Sequence, residues 1–394
     1  MKTNKDKIFD FLTFYASAHG NNGVTTQYLA DTLGILRTNT STLLNTLVLE
    51  GRVVKSSNRP VLYRIKTQAD NREDECFENI IGVHGSLARQ IQLVKAAIIY
   101  PEKSLNTLLV GEPGTGKSFL AMIMHQYAIA AKVLTENAPY IVFDCRSHQV
   151  NESDLMRELL GADGKTGLIS QASDGILHID NAHLLSTGLR SQLCSAIERC
   201  QLNGTESKTK TSPMIILASD TSNNTACDDY ARLFPITIEL PALSERPMDE
   251  RMTLIQNFFN IEAARAKKTL NINAELLRCL LLYKCNLNIK QLKGDIKRGC
   301  AMAYLREHDS KDDTLNIYLY DFEPYVRKGF LNYGEHRDEV ERIIPANYNY
   351  SFSGSTMKMS VIDRAKLLST SLYDEIDRKA NDLREQGLSR DDAN

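Results

Sequence analysis

The sequence predicts an α/β core in the middle of the chain, a small helical module with a β-hairpin before it, and a helical tail after it. Three observations lead to this fold class. A glycine-rich loop, GEPGTGKS, stands between an apolar run and a stretch with helical spacing. A second apolar run further along, ILHIDNAH, contains an aspartate at its end. The first 66 residues combine helical spacing with an excess of positive charge.

The glycine-rich loop has the composition and spacing of a Walker A phosphate-binding loop. Thr107 to Val110 form the apolar strand that enters it, and FLAMIMHQYA continues it as a helix. Small residues let successive backbone amides converge on phosphates, while the lysine reaches the outer phosphates and the serine hydroxyl completes a Mg2+ shell. The predicted ATP-binding residues here are Gly111, Glu112, Pro113, Gly114, Thr115, Gly116, Lys117 and Ser118.

The second apolar run reads as a Walker B strand. Its β-branched and aliphatic residues predict a buried strand, and Asp180 at its carboxyl end is placed to hold Mg2+ together with Ser118. A strand that ends in a helix-capping aspartate is the alternative interpretation, which the upstream loop makes weaker. Asn181 follows at the position where an ATPase carries its catalytic glutamate.

Charge is distributed unevenly along the 394 residues. The whole chain has a formal net charge of -2, but residues 1–66 hold nine Lys or Arg against four acids, a net of +5. A basic N-terminal segment followed by an acidic remainder of the chain indicates that the N-terminal segment binds nucleic acid. The eight cysteines fall singly, without zinc spacing, and no signal peptide or long apolar stretch occurs. These features predict a cytoplasmic protein that does not bind membranes.

Residues 1–66 have the pattern of a winged helix-turn-helix. Three helical stretches follow one another, the second starting at a Thr cap and ending at Gly34, and two short strands around a polar turn complete the module. The third helix turns Leu44 and Leu47 inward, which leaves polar residues facing out where a recognition helix meets DNA. A small helical interaction domain is the alternative. The predicted DNA-binding residues are Arg37, Thr38, Asn39, Ser41, Thr42, Lys55 and Arg59.

After a polar, charged linker at 67–78, the chain resembles a known family, the sigma-54-dependent enhancer-binding activators of the levanase/mannose-operon type. Five stretches carry the resemblance in the family's order and cover most of the chain. They are IIGVHGSL leading into KAAIIYP, the Walker A loop, SDGILHIDNAH, ARLFPITIELPALSERPMDER and CNLNIKQLKGDIKRGCAMAYL.

The resemblance implies an AAA+ ATPase module with a helical lid, assembled into rings with nucleotide at subunit interfaces. Ser219 and Asp220 match its first sensor, Lys290 stands near its second sensor, and Arg232 matches an arginine inserted into the neighbouring subunit's site. Each of these also has a plain structural alternative as a turn or surface residue. The implied domains are the winged helix at 1–66, the linker at 67–78, the α/β subdomain at 79–240, the lid at 241–308 and a helical connecting tail at 309–394.

Two departures from the family pattern bear on function. Asn181 cannot accept the proton that the family's glutamate accepts, and general-base catalysis contributes about a hundred- to ten-thousand-fold. We therefore expect slow ATP hydrolysis, although an amide can still orient a water. The family contacts sigma-54 through a loop with the sequence GAFTGA, of which only Gly161, Ala162 and Asp163 correspond here. Contact with sigma-54 RNA polymerase is expected to be impaired.

The sequence therefore predicts a transcriptional regulator that binds DNA and ATP with Mg2+, self-associates into a ring or a mixed ring, and hydrolyses ATP poorly. Asp180, Asn181 and Arg232 are its candidate catalytic residues. The rival hypothesis is an active AAA+ motor that remodels DNA or protein complexes, in the manner of a helicase loader. ATP turnover distinguishes the two.

Overall fold

The computed structural model divides into two compact units, Met1–Glu75 and Cys76–Asn394. Among the described residues, no helix is both long and apolar enough to span a membrane. The described residues are 3–19, 23–50, 52–55, 61–65, 76–78, 80–101, 104–148, 157–161, 166–203, 212–220, 230–308, 312–345 and 349–354.

The described residues of the first unit form three helices and a three-stranded antiparallel sheet in the order β1-β3-β2. Thr25 caps the second helix by accepting a hydrogen bond from the Tyr28 amide, and Gly34 ends it in the left-handed conformation. Ile8, Leu44 and other apolar side chains form its core. The elements are α1 (Asn4–His19), β1 (Val24–Thr25), α2 (Thr26–Leu33), α3 (Arg37–Leu49), β2 (Val53–Lys55) and β3 (Leu62–Ile65).

A five-stranded parallel sheet forms the α/β part of the second unit, with the strand order β5-β6-β7-β4-β8. Its strands are β4 (Thr107–Val110), β5 (Tyr140–Asp144), β6 (Ile176–Asp180), β7 (Met214–Ser219) and β8 (Ile236–Glu239). The helices of this part include α4 (Ala88–Ile99), α5 (Lys117–Ala130), α6 (Leu168–Gln171) and α7 (Thr187–Asn203).

The three central strands β4, β6 and β7 are buried on both faces of the sheet. Successive side chains of a strand point to opposite faces, so each of these strands contributes to two cores. Along β4, Leu109 packs in one core with Met124 of α5, whereas Leu108 packs in a second core with Leu193 of α7. The near-continuous apolar runs of the strands follow from this two-sided burial. Parallel strands also bring their carboxyl ends to one edge of the sheet, where open α/β sheets bind ligands.

The rest of the second unit combines helices with a small mixed sheet in the order β10-β9-β11. The elements are α8 (Met248–Ala266), β9 (Thr269–Asn273), α9 (Ala274–Leu282), α10 (Asn288–Arg306), β10 (Thr314–Ile317), α11 (Pro324–Arg327), α12 (Arg337–Ile343) and β11 (Asn349–Phe352).

The structure differs from the predicted helical tail over residues 312–354. Strands β10 and β11 both pair with β9 of the predicted lid, and Leu315 and Phe352 pack in the same core as the lid helices. The predicted lid boundary at residue 308 therefore does not separate two cores. Short β-strands at a domain's end carry weak sequence signals, because their pairing partner lies far away in the chain. Residues 355–394, where a further helix was predicted, lie outside the described residues.

Candidate nucleotide site

The glycine-rich loop lies at the carboxyl edge of the parallel sheet, between β4 and α5. Gly114 and Gly116 have φ angles of +80° and +107°, which L side chains rarely adopt. The Lys117 ammonium lies over the loop and donates to the carbonyl oxygens of Gly111 and Glu112, at 2.6 and 2.9 Å. The loop thus encloses a cation at the start of a 14-residue helix, an arrangement suited to an anionic phosphate.

Ser118 and Asp180 meet at the same edge, although they lie 62 residues apart in the chain. The Ser118 hydroxyl donates to the Asp180 carboxylate at 2.7 Å. Mg2+ prefers such hard oxygen ligands, and in phosphate sites it is held by one or two protein groups together with phosphates and water. The two side chains fit this role. Within the part of the chain that the structure describes, no group of three or more His, Cys, Asp or Glu forms an all-protein metal site.

Asn181 adopts the left-handed conformation, with φ of 58°, immediately after the β6 strand. Its backbone amide donates to the Asp180 carboxylate at 2.8 Å, and its side-chain Nδ2 donates to Asp144 Oδ1 at 3.0 Å. Asparagine tolerates this conformation better than most residues. The side chain is therefore directed toward the end of the neighbouring strand β5 by a defined hydrogen bond.

Asp144 belongs to the site and was missed in the sequence analysis. It ends β5 in register with Asp180, and Arg146 donates from Nε to its Oδ2 at 2.9 Å. Hydrogen bonds from the Arg146 side chain lower the pKa of this carboxyl to about 2, so it is ionised at neutral pH. The sequence signal is an apolar strand, YIVFD, that ends in an acid as the Walker B strand does.

The end of β7 places Ser219 and Asp220 beside the loop, and both are buried. The Asp220 amide donates to Nδ1 of His183 at 3.2 Å, which requires an unprotonated Nδ1. Partial burial lowers the pKa of His183, so the ring is neutral near pH 7. His183, like Asp144, was not predicted from the sequence.

The predicted lid contacts the glycine-rich loop through Asn288, which is only 1% exposed. Its Oδ1 accepts from the Leu243 amide at 2.7 Å, and its Nδ2 donates to Glu112 Oε2 at 2.9 Å and to the Pro113 carbonyl at 3.1 Å. Asn288 lies two positions before the predicted sensor Lys290 and was not itself predicted from the sequence.

Lys290 approaches the loop through its main chain. Its backbone amide donates to the Gly114 carbonyl at 3.2 Å, and its side chain is exposed. A Cβ atom on Gly114 would lie 2.1 Å from the Leu287 carbonyl oxygen, so only glycine fits at this close approach of lid and loop. A cavity of about 760 Å3 adjoins the loop at Glu112 and Pro113.

Arg232, the predicted trans-acting arginine, is exposed and follows the buried Tyr230. Among the described residues it makes no hydrogen bond or ion pair within its own chain. The structure therefore does not bring Arg232 into contact with Lys117, Ser118 or Asp180.

The residues predicted to bind DNA lie in the first unit. Arg37, Thr38 and Asn39 are exposed at the start of α3, whereas Ser41 is half-buried. The Thr42 hydroxyl donates to the Thr38 carbonyl at 3.1 Å. Lys55 is exposed at the end of β2, and Arg59 lies outside the described residues.

The fold and the site together define the class of this protein. A glycine-rich loop between β4 and α5, an aspartate at the end of β6 and a helical segment that contacts the loop are the features of an AAA+-like P-loop NTPase module. Residues 80–233 match the family described as the Sigma-54 interaction domain. The predicted resemblance to sigma-54-dependent regulators is therefore confirmed over this segment.

Two curated relatives extend the similarity beyond that segment. The transcriptional regulatory protein LevR of Bacillus subtilis is 27% identical over 414 residues, which cover 94% of this chain and 44% of that protein. The transcriptional regulatory protein DagR of Salmonella typhimurium is 27% identical over 332 residues, covering 74% of this chain and 35% of that protein. The chain thus spans less than half the length of both relatives.

Among solved structures, NtrX from Brucella abortus in complex with ATP has a TM-score of 0.49 and a sequence identity of 16%. The likeness covers 82% of this chain and 69% of that one.

Proposed function

We propose that the second unit binds ATP with Mg2+. The observation that carries this proposal is the meeting of the Lys117 ammonium, the Ser118 hydroxyl and the Asp180 carboxylate at one helix N-terminus. Phosphate charge complements the lysine and the helix dipole, while the two oxygen ligands suit the cation. Mg2+ would offset charge on the outer phosphates when it is bound.

Hydrolysis is proposed to be slow because Asn181 offers no group that can take the proton of an attacking water. The carbonyl oxygen of Asn181 can orient that water by accepting a hydrogen bond, but an amide is too weak a base to take the water's proton. A module that binds ATP and turns it over slowly can use the nucleotide to stabilise an assembled state. Arg232 is exposed and has no intrachain partner among the described residues. We propose that it contacts the phosphates bound by a neighbouring subunit, which would favour self-association.

The complete chain is proposed to be a DNA-binding transcriptional regulator related to sigma-54-dependent activators. The family match, the transcriptional regulators among its relatives and the exposed polar start of α3 support this proposal. Sigma-54 contact is proposed to be weak, because the sequence between β5 and β6 lacks GAFTGA. Whether the protein activates or only occupies DNA then depends on its ATP turnover.

The Mg2+ part of the proposal is tested by replacing Ser118 with Ala. We expect the affinity for a fluorescent ATP analogue to fall about tenfold in Mg2+, the loss of roughly one hydrogen bond, and to change little in EDTA. Titration by fluorescence anisotropy measures both. Ser191→Ala, an exposed serine on α7, is the control. Equal losses with and without Mg2+ would show that Ser118 does not act through the cation.

The DNA part is tested by replacing Arg37 with Ala in the full chain. Loss of a contact from the recognition helix should weaken binding to a selected DNA site by about 1–3 kcal/mol, roughly 5- to 150-fold. Lys7→Ala removes one positive charge from α1 of the same unit and is the control. Binding-site selection from a random DNA pool, followed by anisotropy, supplies the measurement. An equal effect of both variants would indicate unspecific electrostatic binding.

A further inference from the structure

A cavity of about 760 Å3 lies against the glycine-rich loop and is lined by both parts of the second unit. Glu112 of the loop contributes to its wall, and so do Arg251 of α8 and the residues that follow α9. Lys117, Ser118 and Asp180 do not line it. Its volume is in the range of sites for small organic molecules, so the cavity is a second candidate ligand site of this unit.

Arg251 is a buried cation in the wall of this cavity, with only 8% of its surface exposed. Its Nη2 donates to the carbonyl oxygens of Leu280 and Tyr283, at 3.0 and 2.6 Å, and so holds the end of α9. Its Nε and Nη1 make no hydrogen bond, and the side chain has no carboxylate partner, within the residues that the structure describes. Arginine keeps its charge even though burial lowers its pKa, and buried charges are normally paired. The guanidinium therefore has donors left for an anion.

The charges around the cavity are divided between the two parts of the unit. Lys284, exposed just after α9, is a second cation and, like Arg251, has no ion pair among the described residues. The two acids among the described lining residues, Glu112 and Asp220, belong to the α/β part. Carboxylates accept hydrogen bonds from hydroxyl groups. The wall is thus suited to a molecule that carries both an anionic group and hydroxyl groups.

Ser244 and Asn286 add uncharged polar groups to the same wall. Both are exposed, and neither side chain makes a hydrogen bond within the described part of the chain. A ligand hydroxyl can donate to or accept from either of them. A guanidinium binds two oxygens of a carboxylate or a phosphate at once, and a second cation suits the two charges of a phosphate monoester. The anionic group that the wall matches best is therefore a phosphate monoester.

We propose that this cavity binds a small phosphate ester that carries hydroxyl groups. Arg251 and Lys284 hold its phosphate, while Ser244, Asn286 and the carboxylates of the wall bind its hydroxyls. The site is distinct from the proposed ATP site and takes its ligand without nucleotide. Because the ligand contacts the glycine-rich loop and the end of α9 together, its binding stabilises the folded second unit.

The experiment titrates the full chain with glycerol 3-phosphate by calorimetry in the absence of nucleotide. We expect saturable binding of this probe and none of glycerol, which lacks the charge. Lys284→Ala should weaken binding about tenfold, as expected for the loss of one charged hydrogen bond. Arg89→Ala removes an exposed positive charge from α4, outside the cavity, and is the control.

Lys117→Ala separates this site from the glycine-rich loop. Binding of glycerol 3-phosphate should change less than about threefold in this variant, since Lys117 does not line the cavity. If Lys117→Ala abolished binding and Lys284→Ala left it unchanged, the phosphate would lie in the glycine-rich loop and the inference would be overturned. The inference is equally wrong if the wild type does not bind the probe.

Thermal unfolding tests whether Arg251 has only a structural role. At a hundredfold excess over its dissociation constant, the probe should raise the melting temperature of the wild type by about 5 °C. Arg251→Met should melt lower without the probe, because the end of α9 loses two hydrogen bonds, and should also lose the rise that the probe causes. An equal rise in Arg251→Met and the wild type would leave Arg251 a purely structural role and contradict the proposal. Lys284→Ala, at an exposed position, decides the matter if Arg251→Met does not fold.

Discussion

Replacing Lys117 with Ala is expected to reduce the affinity for ATP about 100-fold. The ammonium lies within hydrogen-bonding distance of the Gly111 and Glu112 carbonyls and can move from them onto phosphate oxygens without moving the backbone. Hydrogen bonds to charged groups contribute about 1.5–3 kcal/mol each, and a 100-fold loss corresponds to about 2.7 kcal/mol. Isothermal titration with ATP and Mg2+ measures the change.

Two control variants separate charge from shape in this experiment. Lys117→Arg keeps the charge but brings a planar group that does not fit a loop built around a compact ammonium, so part of the affinity should be lost. Lys297→Ala removes a positive charge from α10, more than two turns from the end that contacts the loop, and should bind ATP as the wild type does. If Lys117→Ala bound ATP with unchanged affinity, the phosphate position proposed for this loop would be wrong.

Replacing Asn288 with Ala is expected to destabilise the second unit by about 3–5 kcal/mol. The change deletes three hydrogen bonds at a site that is 1% exposed and leaves the Leu243 amide buried without its partner. An unsatisfied buried polar group costs about 1–3 kcal/mol. The residue also has a φ of 50°, which costs alanine about 1 kcal/mol more than asparagine or glycine. The melting temperature should fall by about 10 °C.

Two further variants separate the contributions of the hydrogen bonds and of the backbone conformation to this loss of stability. Asn288→Gly removes the same bonds but tolerates the positive φ, so it should be about 1 kcal/mol more stable than the alanine variant. Glu112→Ala deletes one of the three bonds and should cost the least. ATP binding should also weaken in Asn288→Ala, because the lid no longer holds the Glu112–Pro113 segment. A melting temperature within about 2 °C of the wild type would contradict this role of Asn288.

Much of the candidate nucleotide site could be predicted, because several of its residues lie close together in short segments of the sequence. The spacing of Gly111, Lys117 and Ser118 fixes a strand, a loop and a helix in sequence, and the apolar run before Asp180 fixes a strand end. The local backbone geometry of each short segment determines where these residues lie, so one sequence is enough to predict their positions within that segment. The same reasoning identified Asn181 as a residue without a carboxylate.

The partners of those residues could not be predicted in the same way. Asp144 lies 37 residues before Asn181, and Asn288 lies 176 residues after Glu112. Which strand ends become neighbours depends on the sheet order, and a hydrogen bond across such distances leaves no periodic signal in the chain. For the same reason the strands at 314–317 and 349–352 were not predicted, since each is stabilised by pairing with β9.

Residue types and their spacing along the chain were sufficient to predict the groups that this protein presents: a glycine-rich loop with a lysine and a serine, an aspartate at a strand end, an amide in place of a glutamate, and a basic segment at residues 1–66. The contact of Asp144 with that amide and the contact of Asn288 with the loop became visible only in the folded chain. Residue type and local spacing specify which groups exist and where each element begins. The packing of parallel strands and helices fixes which groups meet.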